Sequence, residues 1–347
     1  MDMTEALTTD TAETLDAGTV ERLGERMSML VAHRTDPSRL RDELVADVRR
    51  GLGAPRKWLP PRWFYDDHGC ELFEEITRLP EYYQTRTEAA ILEAAAERIA
   101  ELTAPSTMVE LGAGSCTKTR ILLDAMARRG LQRFVPVDVS EVALADAARR
   151  LTAEFPSLHV HGVVADFTEA LDRLPREDHQ VIVFLGSTIG NLLPHERALL
   201  LAHVRSRLTR NGAFLLGIDL VKPVADLYAA YNDAAGITAA FNRNLLAVVN
   251  RELGADFDTD AFSHEAPYDD ILNRIEMHLR SVRDQWVEIP AADLRVHFAE
   301  GETVLTEIST KFTRARVEAE LSSAGMTCVD WFSDGDERFA LALAMPR

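Results

Sequence analysis

Three polar motifs in the middle of the chain could together bind a nucleoside. Gly112 and Gly114 follow one apolar run, Asp138 follows the next, and Asp166 with Phe167 follows a third. Glycines let a ligand approach the backbone, and a carboxylate can accept hydrogen bonds from both hydroxyls of a ribose. An acid beside an aromatic ring can bind an adenine amine and cover the ring face. Each motif also has a structural explanation, such as helix capping by Asp138, but the series favours nucleoside binding.

The residues after these glycines indicate a cofactor without phosphate groups. A dinucleotide-binding loop has the pattern GxGxxG, and Thr117 stands here in the place of the third glycine. Lys118 could pair with a carboxylate, such as that of the methionine half of S-adenosylmethionine, or could be a solvated helix lysine. These residues therefore favour a nucleoside cofactor without phosphates, of which S-adenosylmethionine is an example, and disfavour a nicotinamide-dependent dehydrogenase.

A second group of residues could bind and orient an amine. The loop after the fourth apolar run contains Gly186, Gly190 and Asn191, and small residues leave room where the reacting atoms of two ligands meet. The amide oxygen of Asn191 can accept a hydrogen bond from a substrate amine. A loop-capping asparagine is the structural alternative, which this motif alone does not exclude.

A late segment, 303–312, alternates as a β-strand does and carries two polar groups on one face. Glu307 and Ser309 point the same way, ~7 Å apart along the strand. A carboxylate beside a hydroxyl can hold a ring with two polar nitrogens, which imidazole offers. Met277, in an upstream segment that alternates likewise, could supply an apolar wall. The alternative for Glu307 is an exposed strand acid paired with a lysine.

The elements that must position these residues alternate between strand and helix, which predicts a doubly wound α/β fold with a mainly parallel sheet. A Thr85-x-x-Glu88 capping box predicts the start of an earlier helix. A helix capped by Thr313 and a terminal hairpin would complete a sheet that resembles the seven-stranded sheet of S-adenosylmethionine-dependent methyltransferases. Strands are expected at 107–111, 133–137, 158–164, 180–185, 213–218, 327–332 and 338–345, and the intervening helices near 117–128, 140–154, 168–174 and 194–208.

Charge and composition exclude several classes of partner. The 347 residues include 56 acidic and 38 basic side chains, and the resulting net charge of −18 repels phosphate backbones and anionic lipid. No apolar run approaches the ~18 residues of a membrane span, and three separated cysteines support neither a disulfide framework nor a metal site. We expect residues 1–35 to form an acidic disordered tail. The N-terminus has no basic apolar leader, which predicts a cytoplasmic location. We also expect a monomer with no metal, nucleic acid or membrane partner.

Seven segments of the chain closely resemble the histidine Nα-methyltransferases of ergothioneine biosynthesis. They occur in matching order, and the similarity covers nearly everything after residue 36, so the match is specific. Two departures are visible: Gln84 stands where proline is expected after a tyrosine pair, and residues 115–117 vary the glycine loop. The matching segments are 59–65 (LPPRWFY), 79–88 (LPEYYQTRTE), 109–120, 184–192 (FLGSTIGNL), 219–222 (DLVK), 231–252 and 305–312.

The resemblance implies two lobes and a set of contacts. The methyltransferase domain would comprise residues 86–221 and 312–347, and an α+β substrate lobe would comprise residues 36–85 and 222–311. The cofactor contacts would be Gly112, Lys118, Asp138, Asp166 and Phe167. Histidine would meet Tyr82 and Tyr231 at its carboxylate, Gly186 and Asn191 at its amine, and Glu307 and Ser309 at its imidazole, with Tyr65 near the amine.

The implied reaction transfers three methyl groups in succession from S-adenosylmethionine to the α-nitrogen of L-histidine and of its mono- and dimethyl forms. The product is hercynine, formed in the first step of ergothioneine biosynthesis, with Tyr65 and Asn191 as the catalytic residues. Two alternatives stay open: an enzyme for another aromatic amino acid or an indole derivative, and a non-catalytic protein that binds S-adenosylmethionine.

Overall fold

Helices and strands form most of the chain that the computed structural model describes, residues 19–31, 37–114, 116–174 and 176–347. None of the helices within these ranges is long and apolar enough to cross a bilayer. The helices are α1 (Pro37–Leu52), α2 (Asp67–Arg78), α3 (Gln84–Thr103), α4 (Thr119–Ala127), α5 (Glu141–Glu154), α6 (Phe167–Arg173), α7 (Pro194–Arg207), α8 (Val224–Tyr231), α9 (Ile237–Leu253) and α10 (Arg314–Ser323). The strands are β1 (Thr19–Gly24), β2 (Met27–Val31), β3 (Lys57–Trp58), β4 (Thr107–Leu111), β5 (Arg133–Asp138), β6 (His159–Val164), β7 (Gln180–Phe184), β8 (Ala213–Asp219), β9 (Phe262–Glu265), β10 (Tyr268–Asp269), β11 (Arg274–Ser281), β12 (Gln285–Ile289), β13 (Leu294–Phe298), β14 (Thr303–Thr310), β15 (Met326–Ser333) and β16 (Phe339–Pro346).

A nine-stranded sheet carries the predicted cofactor motifs, in the strand order β1-β2-β6-β5-β4-β7-β8-β16-β15. The six strands from β2 to β8 in this order run parallel, and β16 is antiparallel to β8. The seven strands from β6 to β15 are those expected from the sequence, so the doubly wound α/β fold is confirmed. The carboxyl ends of the parallel strands meet at one edge, where open α/β sheets bind ligands.

Two hydrophobic cores cover the two faces of this sheet. Helices α3, α4 and α5 pack on one face through side chains such as Leu92 and Leu122. Helices α6, α7 and α10 pack on the other through side chains such as Leu200 and Leu321. Because both faces are covered, every residue of β4 and β7 is buried, which explains their mostly apolar sequences.

The hairpin of β1 and β2 adds two strands to the sheet and corrects the expected extent of the tail. Strand β2 pairs in parallel with β6, with Leu30 opposite Val163. Met29 and Val31 join the core on one face and Leu30 the core on the other. The prediction that residues 1–35 are disordered is therefore wrong for residues 19–31. The short apolar run 27–31 packs into the cores on both faces of the sheet. Residues 1–18 and 32–35 lie outside the described residues.

A third hydrophobic core combines the N-terminal residues with the long segment between β8 and α10. Helices α1, α2, α8 and α9 pack there with a five-stranded sheet made of β3, β9, β10, β11 and β14. Strand β14 then runs to the end of β8, where Leu220 and Phe312 form a parallel bridge. The amide of Phe312 donates to the carbonyl oxygen of Asp219 at 2.9 Å. This junction places the late strand beside the ligand edge of the large sheet.

Candidate active site

One cleft of about 2270 Å³ brings most of the predicted site residues together. It lies between the carboxyl ends of the parallel strands and the third hydrophobic core. Tyr231, Met277 and Ser309 do not line it but are buried close behind its wall. The predicted residues that line the cleft are Tyr65, Tyr82, Gly112, Lys118, Asp138, Asp166, Phe167, Gly186, Asn191 and Glu307.

The glycine loop after β4 has the shape that close ligand approach requires. Gly112 and Gly114 adopt φ values of +67° and +51°, and a Cβ atom at either position would meet no heavy atom within 4 Å. The amide of Gly114 donates to Asp138 Oδ2 at 2.8 Å, and the amide of Ser140 donates to Asp138 Oδ1 at 3.0 Å. The side chain of Ser140, rather than that of Asp138, caps α5. Asp138 therefore ties the glycine loop to the end of β5 and faces the cleft.

Asp166 and Phe167 lie where β6 passes into α6, on the same side of the cleft. Phe167 packs on Phe184 of β7, with ring centroids 5.1 Å apart and ring planes at 50°. One face of the cleft is thus aromatic and bordered by an acid, an arrangement suited to a purine ring.

Lys118 is only partly exposed and forms an ion pair with Glu88, so it is not the freely solvated helix lysine of the alternative interpretation. Glu88 is fully buried, and its Oε1 accepts a hydrogen bond from the amide of Gly186 at 2.8 Å. The predicted capping box is therefore wrong: α3 begins at Gln84 without a side-chain cap, and Glu88 points inward. The spacing of Glu88 to Ile91, Leu92 and Ala95 places it on the buried helix face, a signal that the capping pattern obscured.

A second buried acid lies beneath the glycine loop. Glu110, near the end of β4, accepts a hydrogen bond from Thr119 Oγ1 at 2.6 Å. Burial raises the pKa of Glu110 to about 8, although Thr119 and the Lys118 charge oppose the shift. The carboxyl is thus largely protonated at neutral pH, and α4 begins beside an uncharged group.

Glu307 lines the cleft, and its carboxylate has no partner among the described residues. The residue is 9% exposed, and within the described residues its side chain makes no hydrogen bond. Burial raises the pKa of Glu307 to about 7, and the charge of Lys311 limits the rise. Met277 is directly opposite in the strand register and packs in the third core. Glu307 is therefore not the exposed strand acid of the alternative interpretation, and it can take a hydrogen-bond donor from a ligand.

The two predicted carboxylate anchors are joined by the residue that departs from the family pattern. Gln84 Nε2 donates to the hydroxyl of Tyr231 at 3.0 Å, and the hydroxyl of Tyr82 donates to Gln84 Oε1 at 3.3 Å. Tyr231 in turn donates to Ser309 Oγ at 2.7 Å. Gln84 thus holds both phenols in one hydrogen-bonded chain, a contact that its position in the sequence did not reveal.

Tyr65 and Asn191 also present unused polar groups. In the part of the chain that the structure describes, neither the Tyr65 hydroxyl nor the Asn191 amide has a hydrogen-bond partner, so no local contact supports a loop-capping role for Asn191. The ring of Tyr65 meets Phe73 and Phe241 edge-on, each at a centroid distance of 5.7 Å. The protein around Tyr65 and the charge of Glu307 raise its pKa, so it stays a phenol.

Comparison with known proteins decides the family. A model of the family described as "Histidine-specific methyltransferase, SAM-dependent" matches residues 44–346. The chain belongs to this family. It is therefore an S-adenosylmethionine-dependent methyltransferase.

Two mycobacterial relatives match almost the whole chain. The histidine N-alpha-methyltransferase of Mycolicibacterium smegmatis is 48% identical over 320 residues, which are 92% of this chain and 100% of the relative. That of Mycobacterium tuberculosis is 49% identical over 302 residues, 87% of this chain and 94% of the relative. Ergothioneine biosynthesis protein 1 of Schizosaccharomyces pombe is 31% identical over 73% of this chain, which corresponds to 34% of that longer protein.

Proposed function

We propose that this histidine-specific methyltransferase converts L-histidine to hercynine by three successive Nα-methylations, the first step of ergothioneine biosynthesis. The observation that carries the substrate assignment is Glu307, a carboxylate 9% exposed, without a hydrogen-bond partner in the described residues, in the cleft that also holds the cofactor motifs. A buried carboxylate without a partner is costly, so a ligand that supplies a ring N–H is expected there.

The residues present fit S-adenosylmethionine. Space lies open over Gly112 and Gly114, where a side chain would obstruct a ligand. Asp138 would accept from the ribose hydroxyls, and Asp166 with Phe167 would bind the adenine. Lys118 has N–H groups beyond the one that Glu88 uses and could bind the carboxylate of the methionine half. When bound, this cofactor supplies an electrophilic methyl group on sulfur.

We assign the remaining predicted residues to L-histidine. Tyr82 and Tyr231 would turn their hydroxyl protons from Gln84 and Ser309 to its carboxylate, and Asn191 with the backbone of Gly186 would bind its amine. Glu307 and Ser309 would bind its imidazole, and Met277 would supply an apolar wall. This assignment is supported by the shared side of β14 for Glu307 and Ser309, and by the hydrogen-bonded chain that joins both tyrosines.

The attacking nitrogen must be neutral, since an ammonium group has no lone pair. Free α-amines titrate at ~8, so an appreciable neutral fraction exists without a strong base. Asn191 would accept one amine N–H and thereby aim the lone pair. Tyr65 remains protonated because the surrounding protein partly desolvates its hydroxyl and the Glu307 charge adds to this rise in its pKa, so it would relay a proton through its hydroxyl rather than act as a phenolate. Aromatic rings that line the cleft would stabilise the positive charge of the trimethylated product through cation–π attraction.

The three hydrophobic cores support the proposed division into lobes. Two of them belong to the large sheet, and the third combines residues 44–83 with residues 227–304. We therefore keep residues 86–221 with 312–347 as the methyltransferase domain and residues 36–85 with 222–311 as the substrate lobe.

We further propose a cytoplasmic monomer without a nucleic acid or membrane partner. The net charge of −18 and three free cysteines, Cys70, Cys116 and Cys328, support this view. Size-exclusion chromatography with light scattering tests the oligomeric state.

The function is tested by incubation with labelled S-adenosylmethionine and a panel of amino acids, followed by mass analysis of the products. We expect mono-, di- and trimethylated histidine to appear in succession. Methylation of tryptophan or an indole in preference to histidine would favour the first alternative. Binding of S-adenosylmethionine without any methylated product would favour the second.

A further inference from the structure

A buried lysine behind the cleft contacts two of the proposed substrate residues. Lys311 is fully buried, and its Nζ lies 3.0 Å from the Tyr231 hydroxyl, 2.8 Å from Ser309 Oγ and 2.9 Å from Asp219 Oδ2. Burial lowers the pKa of Lys311, but Asp219 and Tyr231, through charge and hydrogen bonds, together raise it above the ordinary value, so the ammonium group keeps its charge. An ammonium group has three N–H donors and no lone pair, so these three contacts use all of its donors.

Asp219 holds this lysine in place. Its carboxylate also accepts hydrogen bonds from the Tyr83 hydroxyl, at 2.8 and 2.9 Å, and pairs with Lys222. The side chain of Lys222 is only 3% exposed and also pairs with Asp219, but its other hydrogen bond goes to the carbonyl of Leu220. The two lysines share one carboxylate, and only Lys311 reaches Tyr231 and Ser309.

The contacts of Lys311 determine which way the hydrogen bonds of Ser309 run. The Tyr231 oxygen already accepts from Lys311 and from Gln84, so it has no room for the Ser309 proton. The ammonium group cannot accept that proton either. Ser309 accepts from both neighbours, and its own O–H has no acceptor among them. Without Lys311, the Tyr231 oxygen could accept the Ser309 proton and Ser309 would offer a lone pair instead.

We propose that Lys311 is a positioning residue that makes Ser309 a hydrogen-bond donor toward the substrate ring, so that the site selects a ring with one N–H and one unprotonated nitrogen. Glu307 accepts from the N–H, and Ser309 donates to the other nitrogen. Neutral imidazole has both groups, whereas an indole has an N–H and no ring acceptor. This inference rests on the proposed binding of the histidine ring at Glu307 and Ser309.

The first test compares L-histidine with pyrrolylalanines, in which one ring nitrogen is replaced by a C–H group. The 2-yl and 3-yl isomers each keep one ring N–H, at different positions. The isomer that is methylated better is used, because its N–H is the one that faces Glu307. We expect the wild type to prefer histidine in kcat/KM by at least about tenfold. In Lys311→Met this preference should shrink at least about fivefold, through a higher KM for histidine, because a methionine cannot donate. Lys311→Arg should restore part of it.

Lys222→Met is the matched control, because it removes the other cation from Asp219 without touching Tyr231 or Ser309. It should keep the wild-type preference for histidine over the pyrrole analogue. An unchanged preference in Lys311→Met, or an equal loss in Lys222→Met, would overturn the inference. If the wild type methylates no histidine at all, the proposed function itself fails, which is a different result.

A second measurement needs no variant and so does not depend on how Lys311→Met folds. NMR of 15N-labelled L-histidine, bound to the wild-type protein with S-adenosylhomocysteine, reports the protonation of each ring nitrogen. We expect one protonated and one unprotonated nitrogen at pH 7. Two protonated nitrogens would contradict a donating Ser309.

Discussion

Glu88 of α3 and Lys118 at the start of α4 form an ion pair in which the acid is fully buried and the lysine is 24% exposed. The second oxygen of Glu88 holds the amide of Gly186 at 2.8 Å. A Cβ atom on Gly217 of β8 would come within 2.1 Å of the same carboxylate, so β8 approaches it closely. One carboxylate therefore joins a helix, the cofactor loop and the loop proposed to bind the amine.

Glu88→Gln should destabilise the protein and weaken cofactor binding. The glutamine keeps an acceptor for the Gly186 amide but leaves Lys118 without its counter-charge; because Lys118 is partly exposed, the loss should be smaller than the ~3 kcal/mol of a fully buried pair. Thermal unfolding and calorimetry with S-adenosylhomocysteine measure the two effects. Glu93→Gln, on the exposed face of the same helix, is the control and should match the wild type. Equal melting temperatures for both variants would contradict a structural role for the pair.

Asp138→Ala should weaken S-adenosylhomocysteine binding by at least about tenfold, since it removes both the ribose acceptor and the bond to the Gly114 amide. Isothermal calorimetry measures the affinity. Asp146→Ala removes an exposed acid of α5 that pairs with Arg149 and should leave the affinity unchanged. Unaltered binding by Asp138→Ala would argue against the ribose assignment.

Glu307→Ala should lower histidine turnover by at least about tenfold while the protein still folds, because a charged hydrogen bond to the imidazole is lost. Steady-state kinetics and circular dichroism check the two parts. Glu300→Ala, an exposed acid near the start of β14, serves as the control. Wild-type rates in Glu307→Ala would remove the imidazole assignment.

Glu307→Gln should change how the stability of the free protein depends on pH. Burial raises the pKa of Glu307 to about 7 in the folded state, against 4.5 for the ordinary group, so the folded state binds more protons between these values. Stability from this group is therefore complete below pH 4.5 and is lost as the pH rises through 7. The glutamine variant should be more stable than the wild type at pH 8, by roughly 3 kcal/mol, and nearly equal to it at pH 5. Denaturant unfolding at both values measures this, and an equal difference at both would sink the explanation.

Tyr65→Phe should lower kcat by about tenfold with little change in KM for histidine, because the variant loses the hydroxyl and keeps the ring between Phe73 and Phe241. Single-turnover kinetics at saturating histidine isolates this step. Tyr228→Phe changes an exposed tyrosine and should behave as the wild type. A Tyr65→Phe enzyme with unchanged kcat would leave Tyr65 a packing role only.

The large sheet was predictable because its strands are buried on both faces and their sequences are mostly apolar. The ends of these strands also carry Asp138 and Asp166, so the cofactor edge followed from local patterns. Hairpin β1–β2 was missed because its burial depends on a neighbour, β6, more than a hundred residues away. No local pattern reports such pairing.

The hydrogen bonds within the site could not be predicted from the sequence for the same reason. Glu88 matched a capping pattern, and only its packing against Gly186 shows that the side chain turns inward. Lys311 carries no local signal of its role, because its partner Asp219 lies on β8. Gln84 looked like a departure from the family, yet its amide joins two tyrosines from different parts of the chain.

The junction of β8 and β14 limits how the two halves of the molecule can move. The bridge between Leu220 and Phe312 fastens the returning chain to the sheet edge beside Glu307 and Ser309. A hydrogen-bonded link of this kind restrains movement of the residues next to it. We therefore expect the ring-binding end of the cleft to keep its geometry during any such movement, because Glu307 and Ser309 lie on the strand that this bridge fastens.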